Sequence, residues 1–297
     1  MPHTAVRAAE PPRTAANPDA CAACGAAPGT RFCGECGEPR VRERDYSLRR
    51  FLRESFASVT DLDSALFRSL AALIGRPGEL TADYFSGGRR RYLAPLKVFF
   101  LCNVVFFFVQ SVTHTGVLSS PLHVYTHYDP FQRVATGIVQ GRLAARGITQ
   151  SEYARVFDPE SVSQAKTLVI VMAPMLALLL ALLYLRSRRF FLEHLVFSVH
   201  FYAFFLLAIP AFMGLAALLV TGWMALGGPR PQWIESDGAA GLLMFCICAV
   251  YLRFAIQRYY GGHPLAVVGR TLLLAPGLLA ALQAYRFILF FTVLART

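Results

Sequence analysis

Charge is scarce in this sequence. Asp, Glu, Lys and Arg make up 16% of its 297 residues, against about a quarter in soluble domains. So little charge cannot cover the surface of a soluble fold. The 55% hydrophobic share and mean hydropathy of +0.46 put the chain in the membrane class. An apolar leader is missing as well. Residues 1–20 are rich in Ala, Pro and Arg, have no hydrophobic h-region and read as disordered. No cleaved secretory signal is therefore expected, and the first membrane span must itself direct insertion. Catalytic signatures are also absent: no G-x-S-x-G, no P-loop and no H-E-x-x-H. Acidic residues are outnumbered, leaving a formal net charge of +11. The distribution of that charge argues against a nucleic-acid partner. Residues 1–95 hold 14 Arg against 11 acids, and most of the remaining excess lies at the ends of apolar runs. There it sets membrane orientation and meets anionic headgroups of the lipid bilayer.

Seven cysteines are present, and four of them form a pattern. Cys21-Ala-Ala-Cys24-Gly25 and Cys33-Gly-Glu-Cys36-Gly37 are two CxxCG knuckles with eight residues between them. A CxxC turn faces both sulfurs to one point, and the following glycine tolerates unusual backbone angles and leaves N–H groups to aim at sulfur. Cys21, Cys24, Cys33 and Cys36 thus supply a tetrahedral four-thiolate set, the geometry of structural zinc, with no ligand position open for catalysis. The same set also accommodates iron, and CxxC pairs also serve dithiol redox chemistry. Residues 21–37 are accordingly expected to be a zinc ribbon folded largely by its metal, in the cytosol, where thiols stay reduced.

Beyond a charged linker, residues 46–95 form a helical neck. Leu48, Phe51, Leu52, Phe56 and Val59, then Leu62, Leu66, Leu70 and Leu73, recur at three- and four-residue steps, and Asp61 or Asp63 can cap a second helix. Arg49, Arg50 and Arg53 suit either an interfacial amphipathic helix or the polar face of a helical hairpin. Gly75-Arg76-Pro77-Gly78 breaks the helix. Gly87-Gly88 with Arg89–Arg91 makes either an elbow on lipid headgroups or a phosphate cradle.

Five apolar runs follow, at 96–113, 167–185, 195–221, 239–256 and 271–294. A span needs about 20 predominantly apolar residues. The fourth run is interrupted by Arg253, so four spans are the alternative count. The fold class is therefore an all-α polytopic membrane protein with a four-cysteine ribbon at its N-terminus. The short connections alternate in charge. Arg186, Arg188 and Arg189 mark one, Glu235 and Asp237 against Arg230 the next, and Arg253, Arg258 and Arg270 the third. That alternation predicts a cytosolic N-terminus, an external loop at 114–166 and an external C-terminus. Residues 131–147 of the loop suit an amphipathic helix, and Pro121, Pro130 and Pro159 are expected to punctuate it.

Glu193, His194 and His200 stand at the start of the third span. Ionisable groups there are costly and often mark a proton path or metal. The plainer expectation is Glu193 paired with Arg189 and a neutral His200 bonded to a neighbouring helix. Gln283 and Arg286 share a face of the fifth span. Arg286 can snorkel toward Glu235 or Asp237 or line a polar site between helices. His123 and His127 have helical metal-pair spacing but read as surface histidines.

The ribbon, then Arg76-Pro77-Gly78, then Tyr84, Gly87, Arg89, Tyr92 and Pro95 running into a span, resembles the bacterial domain of unknown function 3667. Glu193-His194-Leu195-Val196-Phe197 with His200, and the tyrosine-rich stretch Tyr251 to Tyr260, resemble that family too. The resemblance implies no activity; it makes those residues candidates. Non-enzymatic work fits best: a scaffold, assembly or regulatory protein whose ribbon contacts a cytosolic protein partner. A transporter or channel using His200, Gln283 and Arg286, and a lipid-acting enzyme using Glu193 and His200, are the alternatives.

Overall fold

The computed structural model describes residues 63–89, 91–113, 116–128, 130–229 and 237–297, with Cys21, Ala26, Cys33 to Glu35 and Leu48 ahead of them. The leader, Cys24 and Cys36, the first half of the neck apart from Leu48, Glu235 and the side chain of Asp237 lie outside the described residues. Everything regular among the described residues is helical.

Two short helices open the described chain, α1 (Asp63–Gly75) and α2 (Glu79–Ser86). The break expected at Gly75–Gly78 lies between them. α2 carries no long apolar periodicity and is not evident in the sequence. Gly78 precedes it at φ 82° and Gly87 ends it at φ 107°, both left-handed conformations that glycine adopts without penalty. α3 (Pro95–Thr113) starts with Pro at its first turn, where the missing N–H costs nothing.

The segment after α3 holds α4 (Leu122–His127) and α5 (Gln132–Arg146), the latter within a residue of the expected amphipathic helix at each end. α6 (Gln150–Leu168) then runs through a 3-10 turn (Val169–Val171) into α7 (Met172–Leu183). Here the sequence misled. Pro159 lies inside α6 rather than punctuating the loop. A Thr149–Glu152 capping box starts α6, and Tyr153, Phe157 and Ala165 are buried. Phe157 meets Phe290 of the last helix. That packing offsets the backbone hydrogen bond a mid-helix proline forfeits. α8 (Phe191–Ala225), α9 (Asp237–Tyr259) and α10 (Pro264–Arg296) complete the chain.

Five helical stretches are long and apolar enough to cross a membrane: α3, α6 with α7, α8, residues 240–259 of α9, and α10. The chain is a multi-pass membrane protein. α8 is central, packing on α3 and α7, while α10 packs on α6, α7 and α9. Phe100, Val104 and Phe108 of α3, Leu215, Leu218 and Leu219 of α8, and Leu272 and Leu273 of α10 face outward. A soluble monomer does not expose so continuous an apolar surface; here it faces lipid.

The chain alternates between two ends of this bundle. One end gathers the neck, the turn after α7 and the turn between α9 and α10, joined by Arg258 to Glu79 and by Arg189 to the Tyr259 carbonyl. The opposite end gathers α4, α5, the start of α6 and the C-terminus. There Arg142 donates to the Leu294 carbonyl, Tyr153 and Thr297 share a hydrogen bond, and Tyr285 donates to the Leu118 carbonyl.

Candidate functional site

The neck docks on the bundle end formed by the start of α8 and the end of α9, and the candidate residues concentrate at this seam. Gly78 sets the approach. A Cβ there would lie 2.7 Å from the Ala255 carbonyl oxygen, so the backbones of the α1–α2 turn and α9 touch as only glycine permits. Directly after it, Glu79 ties three elements together. Arg76 donates to Oε1 at 3.0 Å, the Tyr92 hydroxyl to the same oxygen at 3.0 Å, and Arg258 of α9 to Oε2 at 3.2 Å. Burial pushes the Glu79 carboxyl up, but the hydrogen bonds from Arg76 and Tyr92 and the charges of Arg76 and Arg258 outweigh it and hold it below the ordinary value. Tyr251 of α9 donates to the Leu73 carbonyl at 2.8 Å, anchoring the end of α1.

One turn into α2, Thr81 shares a 2.8 Å hydrogen bond with Nδ1 of His200. Thr81 is 1% exposed and His200 5%. A buried imidazole without a partner would cost about 1–3 kcal/mol, and Thr81 removes that cost. The neck thus reaches the side of α8 at the level of His200, about 14 Å along the helix.

The first turn of α8 forms the second part of the seam. Arg189 pairs with Glu193 at 2.7 Å, one turn apart as the sequence suggested. The Tyr259 hydroxyl donates to the same Glu193 oxygen at 2.6 Å, and the Phe190 N–H donates to the other at 3.2 Å. Arg189 also lies over the Tyr259 ring at 4.5 Å, a cation–π contact. His194 shares a 2.7 Å bond with the Tyr260 hydroxyl, and its ring lies parallel to Tyr260. Tyr184 stacks on Tyr260 with centroids 4.2 Å apart. Burial holds the Tyr260 phenol well above its ordinary value, with Arg189 opposing, so Tyr260 is a neutral hydroxyl. Ser198 closes the group on the His194 carbonyl at 2.8 Å.

The structure therefore brings together Arg76, Tyr92, Glu193, His194 and His200. Tyr84, Gly87, Arg89 and Pro95 shape the neck itself. Arg89 donates to the Tyr84 carbonyl at 3.0 Å with its guanidinium over the Tyr84 ring, Gly87 caps α2, and Pro95 begins α3. Gln283 and Arg286 are not in this group. Arg286 lies over the Tyr125 ring at the opposite end, and its expected partners Glu235 and Asp237 lie outside the described residues. Along α10, Arg286 lies about 24 Å from Arg270, which stands at the neck end. His127 bonds the His123 carbonyl and Thr126 at the surface. Among the described residues, no three His, Cys, Asp or Glu side chains converge on a metal-sized site.

Sequence reasoning missed Glu79 and Thr81. Glu79 adjoins the Arg-Pro-Gly turn and could have been read as its charge partner at i+3. Thr81 carries no sequence signal, since its role depends on a contact 119 residues away.

No curated protein and no solved structure matches the chain. The neck side of the seam, however, falls within a recognised segment: residues 63–107, which run from the start of α1 into α3 and include Gly78, Glu79, Thr81 and Tyr92, match the family model described as Protein of unknown function (DUF3667).

Proposed function

We propose that the chain is an inner-membrane scaffold, assembly or regulatory protein that holds a cytosolic zinc ribbon at a fixed place on its membrane bundle for a protein partner. One observation carries this reading: the polar side chains at the start of α8 are spent on contacts inside the protein, Glu193 and His194 on the end of α9 and His200 on the neck. Glu193, His194 and His200 each have a hydrogen-bond partner from another element. Groups consumed in this way lock two parts of a chain together and leave nothing poised for turnover. Glu193 lies at the neck end and Arg286 at the Tyr125 ring of the opposite end, which favours the same reading, since a path or site built from both would need them in one cavity.

The orientation is supported by charge. The neck end of the bundle carries Arg186, Arg188, Arg189, Arg258 and Arg270, the signature of a cytosolic face. The zinc rests on the spacing of Cys21, Cys24, Cys33 and Cys36. Cys33 is buried, Gly34 and Glu35 lie in a turn after it, and the Cys21 N–H donates to the Ala26 carbonyl at 2.8 Å. Bound there, zinc would supply folding free energy rather than chemistry.

The test compares two variants of the full chain, with all four ribbon cysteines changed to Ser or with His200→Ala. The purified protein is expected to carry one zinc, absent from the serine variant and retained in His200→Ala. Crosslinking in native membranes should recover a defined set of proteins that the serine variant loses and His200→Ala keeps. A solute flux in proteoliposomes abolished by His200→Ala, with partners indifferent to the cysteines, would overturn the reading.

A further inference from the structure

Beside the docking seam, at the same end of the bundle, the end of α7, the turn after it and the first part of α10 line an open cavity of about 490 Å³. Tyr184, Arg186 and Ser187 line it from the turn, and Arg270 from α10. Leu182, Leu183 and Leu185 complete the lining, and Leu182 and Leu185 are exposed where the helix meets lipid. A basic pocket over an apolar wall at the end of a membrane helix has the polarity of a phospholipid seen from headgroup to chain.

The charges in the cavity are unbalanced. Neither Arg186 nor Arg270 has an acidic partner among the described residues. The acids of this end are engaged elsewhere: Glu193 with Arg189, Glu79 with Arg76 and Arg258, and Asp83 with Arg91. Arg270 lies 4.8 Å from the Tyr184 ring centroid, so a ring face opposes its charge rather than a carboxylate. The Tyr184 side chain is buried, and its hydroxyl has no well-formed hydrogen bond among the described residues. Arg270 can donate to the hydroxyl oxygen, which leaves the O–H without an acceptor among the described residues. Ser187 is not part of the unmet demand, because its hydroxyl and N–H both donate to the Tyr184 carbonyl and fix the turn.

We propose that this cavity binds an anionic phosphate group, with Arg186 and Arg270 supplying charge and guanidinium donors and the Tyr184 hydroxyl donating a third hydrogen bond. Arginine suits phosphate because its planar fork matches two phosphate oxygens at once. The phosphate comes either from a lipid headgroup, with its chains along Leu182 and Leu185, or from a soluble phosphate. Because Tyr184 stacks on Tyr260, the site also lies against the group that joins the start of α8 to the end of α9.

Native mass spectrometry of the full chain in detergent tests this, with short-chain phosphatidylglycerol against phosphatidylcholine, whose ammonium offsets its phosphate. Retention of phosphatidylglycerol over phosphatidylcholine is expected. Arg186→Gln with Arg270→Gln should lower it about 30-fold, and exposed Arg186→Gln alone about fivefold, from the worth of a surface arginine toward an anionic lipid. Arg188→Gln, in the same turn but outside the cavity, should leave it unchanged. Displacement of the lipid by inorganic phosphate would identify a soluble phosphate as the ligand, and insensitivity to it a lipid. Equal retention of the two lipids, or a loss in Arg188→Gln as large as in Arg186→Gln, overturns the site.

Discussion

Gly78→Ala is the sharpest probe of how the neck is held. The glycine has φ 82°, and its added Cβ would lie 2.7 Å from the Ala255 carbonyl oxygen and 3.1 Å from the Ala255 Cα. Two penalties therefore act together. A left-handed conformation costs an alanine about 1–2 kcal/mol. Overpacking against backbone, which cannot rotate away as a side chain can, costs about 1–3 kcal/mol. The lower entropy of the unfolded alanine chain returns about 0.4–1 kcal/mol, leaving a net loss of about 1–4.6 kcal/mol with its centre at about 2–3 kcal/mol. Since the clash is with α9, the loss should appear as opening of the neck from the bundle. Hydrogen exchange of the α2 amides in the full chain reads that opening and should accelerate about 30- to 150-fold, taking a factor of ten per 1.36 kcal/mol. Gly75→Ala is the matched control: the site has open space for a Cβ and no left-handed backbone, so its exchange should stay the same or slow. Exchange in Gly78→Ala within about twofold of wild type, or equal acceleration in both variants, would refute the close approach.

Glu79→Ala should cost about 1–2 kcal/mol of the same docking, measured by the same exchange, because it strands the Tyr92 hydroxyl and the arginines; their exposure to solvent keeps the figure low. The Glu79 carboxyl is held below its ordinary 4.5 in the folded chain, so its contribution is complete above about 4.5 and is lost as the pH falls through the folded value. The exchange difference between wild type and Glu79→Gln should accordingly stay flat from neutral pH down to about 4.5 and shrink only below it; a change between pH 7 and 6 would contradict this. Tyr259→Phe removes a buried hydrogen bond to a carboxylate and should lower stability by about 1.5–3 kcal/mol in thermal unfolding, with a loss under 0.5 kcal/mol counting against the Glu193 geometry. Cysteines placed at residues 140 and 230 should both react with a membrane-impermeant reagent from outside the cell; protection of either would overturn the orientation.

The membrane helices were legible because their signal is compositional: twenty apolar residues announce a span wherever they pack. The Arg-Pro-Gly break was legible for a similar local reason, as were the Arg189–Glu193 pair and the helix over residues 132–146. The first half of α6 was not. Its residues read as a polar loop carrying Pro159, and it is packing across the fold, such as Phe157 against Phe290, that makes a helix worth forming there. Nor was α2, eight residues long, which has too few turns to show a period and owes its place to glycines at both ends.

His200 shows most clearly where sequence reasoning stops. An imidazole two turns into an apolar helix admits a proton path or, more plainly, a neutral ring bonded to a neighbouring helix; the second is what forms, but the sequence does not show that the helix comes from the neck. The unstated assumption is that the neck, being polar, stays clear of the bundle. A polar segment can instead pack beside a membrane helix when its polar side chains find partners there, and α2 does so with Thr81 on His200 while Glu79 spans Tyr92 and Arg258. Each partner removes the reason the other looked out of place. The buried histidine is no longer an isolated cost in the span, and the second half of the neck is held on the bundle. A local reading assigns both to separate functions; the pair constrains only one, the attachment of whatever precedes residue 63 to the membrane.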